Sequence, residues 1–184
     1  METLRNRKIA ILSDNGFEQS ELIEPRKALL DAGATVHVVS AQNGKIKAWD
    51  KTDWGIDVDV DMNLSDAKVG DYDGLMVPGG VMNPDKMRND ENYISFAKGF
   101  FEAGKPIASI CHGPQLLIET GALKGREMTS YPSIKTDLIN AGVNWTDREV
   151  VVDQGLVTSR SPEDLPAFNK KMIEEFKEGI HEGQ

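Results

Sequence analysis

Lys105-Pro106-Ile107-Ala108-Ser109-Ile110-Cys111-His112-Gly113-Pro114 is the stretch on which the reading of this chain turns. Pro106 to Ile110 is an apolar run that predicts a buried strand, and a helical pattern begins directly after Cys111 and runs to about Thr120. The residues two positions on either side of Cys111, Ser109 and Gly113, are small. Small-x-nucleophile-x-small is the spacing of a nucleophile elbow, a turn so sharp that larger flanking groups would collide with the backbone. Such a turn presents its side chain at the end of a sheet, beside a helix N-terminus. The unpaired N–H groups and dipole there are expected to lower the thiol pKa and to hold an oxyanion. Pro114 suits the first turn of that helix. A lone cysteine is also commonly an inert core residue. The elbow spacing, the adjacent histidine and the strand-to-helix switch favour the nucleophile. His112 offers its backbone N–H as an oxyanion donor and its ring as a base, although neighbours on a tight turn tend to point apart.

Outward from the elbow, buried strands alternate with helices. Lys8 to Ser13, Thr35 to Ser40 and Gly74 to Val77 read as strands. Helices are predicted over Glu18 to Ala32, with Leu22, Leu29 and Leu30 near one side, and over Tyr93 to Ala103, Pro132 to Ala141 and Pro162 to about Ile180. Pro25 predicts a kink or a late start in the first helix. Asn43-Gly44 is a turn signal, Ile56 to Asp61 alternates as a strand with one wet face, and Val150–Val152 with Leu156–Ser159 forms a hairpin. The pattern implies one α/β sandwich with a mainly parallel sheet over residues 1–184. Functional crevices in such sheets lie at the carboxyl ends of the strands. The turns at Asn15 to Glu18, Pro78 to Gly80 and Cys111 to Gly113 should therefore meet.

Composition narrows the chemistry. The chain has 184 residues, 21 Lys plus Arg against 30 Asp plus Glu, a net charge of −9, one cysteine and three histidines. One thiol closes no internal disulfide and builds no cysteine-rich zinc cluster. The acidic excess argues against a nucleic-acid phosphate partner and against an anionic membrane surface. No apolar run is long enough to span a bilayer, and Met1 to Ala10 lacks a signal-peptide apolar region. A cytoplasmic protein is expected.

Other candidate residues carry two readings each. Gly79-Gly80 is an ordinary turn or a second backbone donor for the site, since glycine permits close approach. Glu18 is a helix-capping residue, by the cap-x-x-Glu spacing from Asn15, or a carboxyl facing Cys111. In the second case it must be protonated and coupled to the thiol, because two anions would repel. Asp57, Asp59 and Asp61 read as the wet face of a strand rather than a cation site. His37 reads as structural and His181, in His181-Glu182-Gly183, as a frayed helix end. No cofactor or metal is required.

Phe17-Glu18 with Glu21-Leu22, Leu75-Met76-Val77-Pro78-Gly79-Gly80, Ala108-Ser109-Ile110-Cys111-His112-Gly113-Pro114, Thr129 to Lys135 and Ala141 to Trp145 together resemble the ThiJ/PfpI superfamily, in its PfpI-like branch. The resemblance implies a flavodoxin-like, class I glutamine amidotransferase-like fold and a homo-oligomer, a dimer or a hexamer of dimers. It implies Cys111 as nucleophile, Glu18 as its protonated partner, Gly80 and His112 as oxyanion donors, and Tyr131 as a pocket residue or a packed core one. It also implies that Asp85, where the branch often has Glu, reaches a neighbouring subunit to orient its histidine; the other reading of Asp85 is a surface helix cap. The distal His-x-Glu of glutamine amidotransferases is missing here.

The functions so implied share one site. The first is cysteine-dependent chemistry on reactive carbonyls in a stress response, glyoxalase-like (methylglyoxal to lactate) or deglycase-like. The second is an intracellular cysteine peptidase or amidase using Cys111, His112 and Asp85. The third is a redox sensor that oxidises at Cys111.

Overall fold

The computed structural model describes residues 3–181. Met1, and Glu182 and Gly183 of the tail motif, lie outside the described residues. Twelve strands are formed: β1 (Lys8–Leu12), β2 (Phe17–Glu18), β3 (Thr35–Ser40), β4 (Lys45–Asp50), β5 (Asp53–Asp59), β6 (Met62–Asn63), β7 (Gly74–Val77), β8 (Ile107–Ile110), β9 (Glu127–Met128), β10 (Asn144–Trp145), β11 (Val151–Asp153) and β12 (Leu156–Ser159). Six helices accompany them: α1 (Gln19–Asp31), α2 (Met82–Met87), α3 (Glu91–Glu102), α4 (Pro114–Glu119), α5 (Lys135–Asn140) and α6 (Leu165–Glu178).

The central sheet has seven strands in the order β11-β12-β8-β7-β1-β3-β6. All neighbours are parallel except the β11–β12 hairpin. Every residue of β7 and β8 is buried. That is why these strands read as unbroken apolar runs: both faces of a parallel sheet are covered by helices. On one face Leu75, Val77 and Ile107 pack with Phe96 and Phe100 of α3 and Leu116 and Leu117 of α4. On the other, Ile9, Met76 and Ala108 pack with Leu22 and Leu29 of α1 and Phe168, Met172 and Phe176 of α6. Each such large side chain contributes about 1.5–3 kcal/mol on burial. The result is the sandwich with a mainly parallel sheet expected from the alternation, in the three-layer flavodoxin-like form that the family resemblance implies.

Several local expectations are corrected. Pro25 neither starts nor interrupts α1, which runs from Gln19 to Asp31 around it. Leu30 is half exposed, so the buried stripe of α1 is Glu21, Leu22, Pro25 and Leu29. Pro132 and Pro162 open short 3-10 turns, and α5 and α6 start three residues after them. β4 and α2 have no counterpart in the sequence reading, nor do the two-residue strands β2, β6, β9 and β10. β4 has only Ile46 and Ala48 as fully buried positions, and its alternation with β5 is broken by a register shift between Lys47 and Trp49. α2 is six residues long and contains a proline, so it lacks a periodic signature.

Candidate active site

The elbow forms where the sequence places it. Cys111 sits between β8 and α4 with φ of +61°, a left-handed conformation that a side chain rarely adopts. Such strain costs about 1–3 kcal/mol and persists only where the surroundings enforce it. Here the Cys111 N–H donates to Ser159 O at 3.0 Å, and the Cys111 carbonyl accepts the Tyr131 N–H at 2.9 Å. The flanks must be small for the reason inferred. A Cβ on Gly113 would lie 2.5 Å from Ser109 Oγ and 2.8 Å from Val77 O.

The three turns at the carboxyl end of the sheet do meet. A Cβ on Gly79 would lie 2.8 Å from Cys111 Cβ, and one on Gly80, whose φ is +78°, would lie 2.5 Å from Gly16 O. Close backbone approach is the reason for the Gly79-Gly80 pair.

The carboxyl beside the thiol is Glu21, not Glu18. Glu21 is fully buried on the inner stripe of α1. Its Oε2 accepts the Gly79 N–H at 2.9 Å, and the carboxyl lies within hydrogen-bonding reach of the Cys111 thiol. Burial is the main cause that raises its pKa to about 8, with the Glu18 charge adding to the rise. Its Oε1 is buried with no conventional hydrogen-bond partner, a setting in which a neutral carboxyl is favoured over an anion. Glu18 ends β2 and is only half buried, with Lys51 close enough to favour its charged form. Burial and then Asp50 raise its pKa, but it does not contact the sulfur among the bonds formed here. Nor does Glu18 cap α1 through its side chain, and Asn15 spends its Oδ1 on Lys47 N–H. The misassignment has a physical origin. Glu18 and Glu21 are one helical turn apart, and only the position of Leu22, Pro25 and Leu29 shows which of the two faces the core.

The thiol also departs from expectation. Burial pushes the Cys111 pKa up, and a charged Glu21 pushes it further; N–H groups of His112 and Gly80 donate toward the sulfur and pull it back. The helix-end effect is outweighed because α4 is a six-residue helix and Cys111 is only 6% exposed. Thiol and carboxyl therefore form a buried pair that does not carry two negative charges at neutral pH.

His112 does face the cysteine. Its Nδ1 lies 3.2 Å from Cys111 Sγ, and its Nε2 lies 3.1 Å from Ser133 Oγ. The ring stacks on Tyr131, with centroids 4.7 Å apart and planes 23° from parallel. Burial lowers the His112 pKa, which favours the neutral ring. A neutral imidazole fixed by Ser133 and Tyr131 has one nitrogen free to accept the thiol proton. Ser133 was not singled out from sequence, since a serine in a loop carries no distinguishing pattern.

Cys111, His112 and Glu21 border a cavity of about 580 Å³. Trp49, Val81, Met82, Tyr131 and Pro162 supply most of its apolar surface, and Glu18 and Lys51 add polar groups. Trp49 comes from β4 and Lys51 from the turn after it, and Met82 from α2, none of which the sequence pattern predicts. Tyr131 is thus a pocket residue, 41% exposed. Asp85 lies elsewhere, on α2, with Lys86, Arg88 and Glu119 around a second surface cavity. Of the remaining candidates, His37 bonds Tyr72, and Asp61 accepts the Val38 N–H and pairs with Arg26, which accounts for both structurally. Among the described residues, no helix is long and apolar enough to cross a membrane.

The DJ-1/PfpI family model matches residues 7–175. The chain belongs to the DJ-1/PfpI family. Its relatives within that family include a putative cysteine protease, YraA, of Bacillus subtilis, 44% identical over 94% of this chain and 99% of that one. A deglycase, PfpI, of Pyrococcus furiosus is 44% identical over 92% of this chain and 99% of that one. Among solved structures, Drosophila melanogaster DJ-1beta superposes with a TM-score of 0.84 at 28% identity, covering 93% of this chain and 90% of that one. The PfpI-like character of the motifs and the flavodoxin-like fold agree with these likenesses.

Proposed function

We propose that this DJ-1/PfpI chain is a cysteine enzyme acting on small reactive carbonyls, of the glyoxalase or deglycase type. The observation that carries the reading is the pairing of Cys111 with the buried, neutral Glu21 and the neutral His112 at a largely apolar cavity. The deglycase name of the Pyrococcus relative supports it.

For methylglyoxal the steps follow from the groups present. His112 Nδ1 takes the thiol proton as Sγ bonds to the aldehyde carbon. The carbonyl π electrons move to oxygen, which is protonated, and a hemithioacetal results. Glu21, having given its proton to that oxygen, takes the C1 proton as a carboxylate while the protonated His112 gives a proton to the C2 oxygen, and an enediol forms. Reprotonation at C2 gives a thioester of lactate. Glu21 is the group placed to give and take these protons beside the sulfur. Water then attacks the thioester, the C–S bond breaks, lactic acid leaves and the thiol is restored. The sum is methylglyoxal plus water to lactate. The Gly80 and His112 N–H groups that act on the sulfur are assigned to the oxyanions that form beside it.

A peptidase remains the second reading, supported by the name of YraA and by the Cys111–His112 contact. It requires Asp85 to come from another subunit, whereas within the protomer Ser133 holds His112 Nε2. Redox sensing is less well supported, because oxidation favours an exposed, low-pKa thiolate and burial raises this one. One side-by-side assay tests the proposal: lactate from methylglyoxal and cleavage of peptides, in wild type and Cys111→Ala. Lactate formation that vanishes in Cys111→Ala, with peptides left intact, is the expected result. Undiminished lactate formation in Cys111→Ala, or peptide cleavage alone in the wild type, contradicts it.

A further inference from the structure

Asn83 is fully buried in α2, five residues after Pro78. Its carboxamide is completely used. Nδ2 donates to Pro78 O at 3.0 Å and to Gly79 O at 3.2 Å. Oδ1 accepts the Asp14 N–H at 2.6 Å and the Ser13 hydroxyl at 3.3 Å. One side chain therefore ties the turn after β7 to the end of β1. Asp14 is itself held: its carboxylate accepts the Tyr93 hydroxyl at 2.8 Å and Gln42 Nε2 at 3.2 Å.

The consequence follows from peptide geometry. In a trans peptide the C=O and N–H point in opposite directions, and the chain contains no cis bond among its described residues. Pro78 O shares a peptide plane with Gly79 N–H, and Gly79 O shares one with Gly80 N–H. Asn83 holds both oxygens, with the Glu18 N–H a second and longer donor to Gly79 O at 3.4 Å, and this turns both N–H groups the other way. Gly79 N–H then meets Glu21 Oε2 at 2.9 Å, and Gly80 N–H turns to the same side, where it acts on both the Glu21 carboxyl and the Cys111 thiol. Two glycines in succession would not hold these planes unaided, since glycine has the least conformational restraint of any residue.

We propose that Asn83 is a positioning residue that sets both backbone donors of the site through the Pro78 and Gly79 carbonyls. The inference rests on the reading of Cys111 as nucleophile, so its test is made on the thiol and needs no substrate. The measurement is the rate of Cys111 alkylation by iodoacetamide against pH in wild type, Asn83→Ala, Asn83→Leu and Tyr93→Phe. Near-UV circular dichroism confirms the fold of each. Loss of the Gly80 donor is expected to raise the alkylation midpoint by about one pH unit in both Asn83 variants, a roughly tenfold lower rate at pH 7. Tyr93→Phe loosens the far end of the same network and is expected to lower the melting temperature while keeping the wild-type pH profile. Asn83 profiles that superimpose on the wild type overturn the proposal, as does an equal shift in Tyr93→Phe. Should neither Asn83 variant fold, amide hydrogen exchange in the wild type decides. Gly79 and Gly80 amides as protected as those of β7 support the anchor; exchange as fast as in the Asn43-Gly44 turn overturns it. If alkylation behaves as expected while methylglyoxal is not turned over, the carbonyl reading fails and the positioning role stands.

Discussion

At the scale of single residues, the pairing of Glu21 with Cys111 is the feature with the widest consequences. A carboxyl whose pKa rises to about 8 on folding, from an ordinary 4.5, keeps its proton in the folded state over a range where the unfolded chain has lost it. Its stabilising contribution is complete below about 4.5 and is lost as pH rises toward about 8. Glu21→Gln has no proton to lose, so the wild-type decline between these limits should flatten in the variant. Urea unfolding midpoints at pH 5 and pH 8 provide the check, and an equal decline in both proteins would contradict the buried neutral carboxyl. The sequence already held the signal for this residue. Glu21 lies four positions before the buried Pro25 and beside the buried Leu22, on the inner stripe of α1. Glu21 stands in the Phe17-Glu18 and Glu21-Leu22 motif without a role of its own there, because the thiol opposite it comes from a segment far along the chain.

At the scale of elements, the elbow was legible because its constraints are local. Strand, nucleophile, small flank and helix follow one another within ten residues. Gly113 shows how tight the constraint is, with Ser109 Oγ, Val77 O and Ile110 O all inside 3 Å of where a Cβ would sit. Two of these are backbone atoms that cannot step aside. Gly113→Ala is therefore expected to cost on the order of 1–3 kcal/mol, as overpacking of a close-packed site does. Denaturant unfolding should show it, and a variant as stable as the wild type would mean that the elbow has slack. The elements that were not legible are those whose pattern is set by tertiary context. β4 is half wet and bulged, and α2 is too short to show a period. Both line the cavity, so the substrate-facing wall is the part that sequence reading served least. His112 is a related case. Its ring faces the sulfur because Tyr131 stacks on it and Ser133 binds it, and both residues are some twenty positions downstream.

At the scale of the whole molecule, the order of buried strands and helices specified the sandwich. The parallel sheet then dictated that the three turns converge at one end. What the alternation could not specify is which surface residues meet a neighbour. Asp85 belongs to this class: it lies outside the cavity, beside Arg88 and Glu119. On the carbonyl reading Asp85→Ala should keep lactate formation within about twofold of the wild type, as exposed substitutions away from a site generally do. A collapse of turnover would bring a neighbouring subunit's acid into the mechanism.

On the proposed chemistry Cys111 works with Glu21 rather than with Glu18. The most direct measurement is the initial rate of lactate formation from methylglyoxal in wild type, Glu21→Gln and Glu18→Gln, each confirmed folded. Glu21→Gln should lose roughly a hundredfold or more, the scale of a missing proton-transfer group, while Glu18→Gln stays within a few-fold of the wild type. The reverse ordering, or equal losses in the two variants, would contradict the pairing.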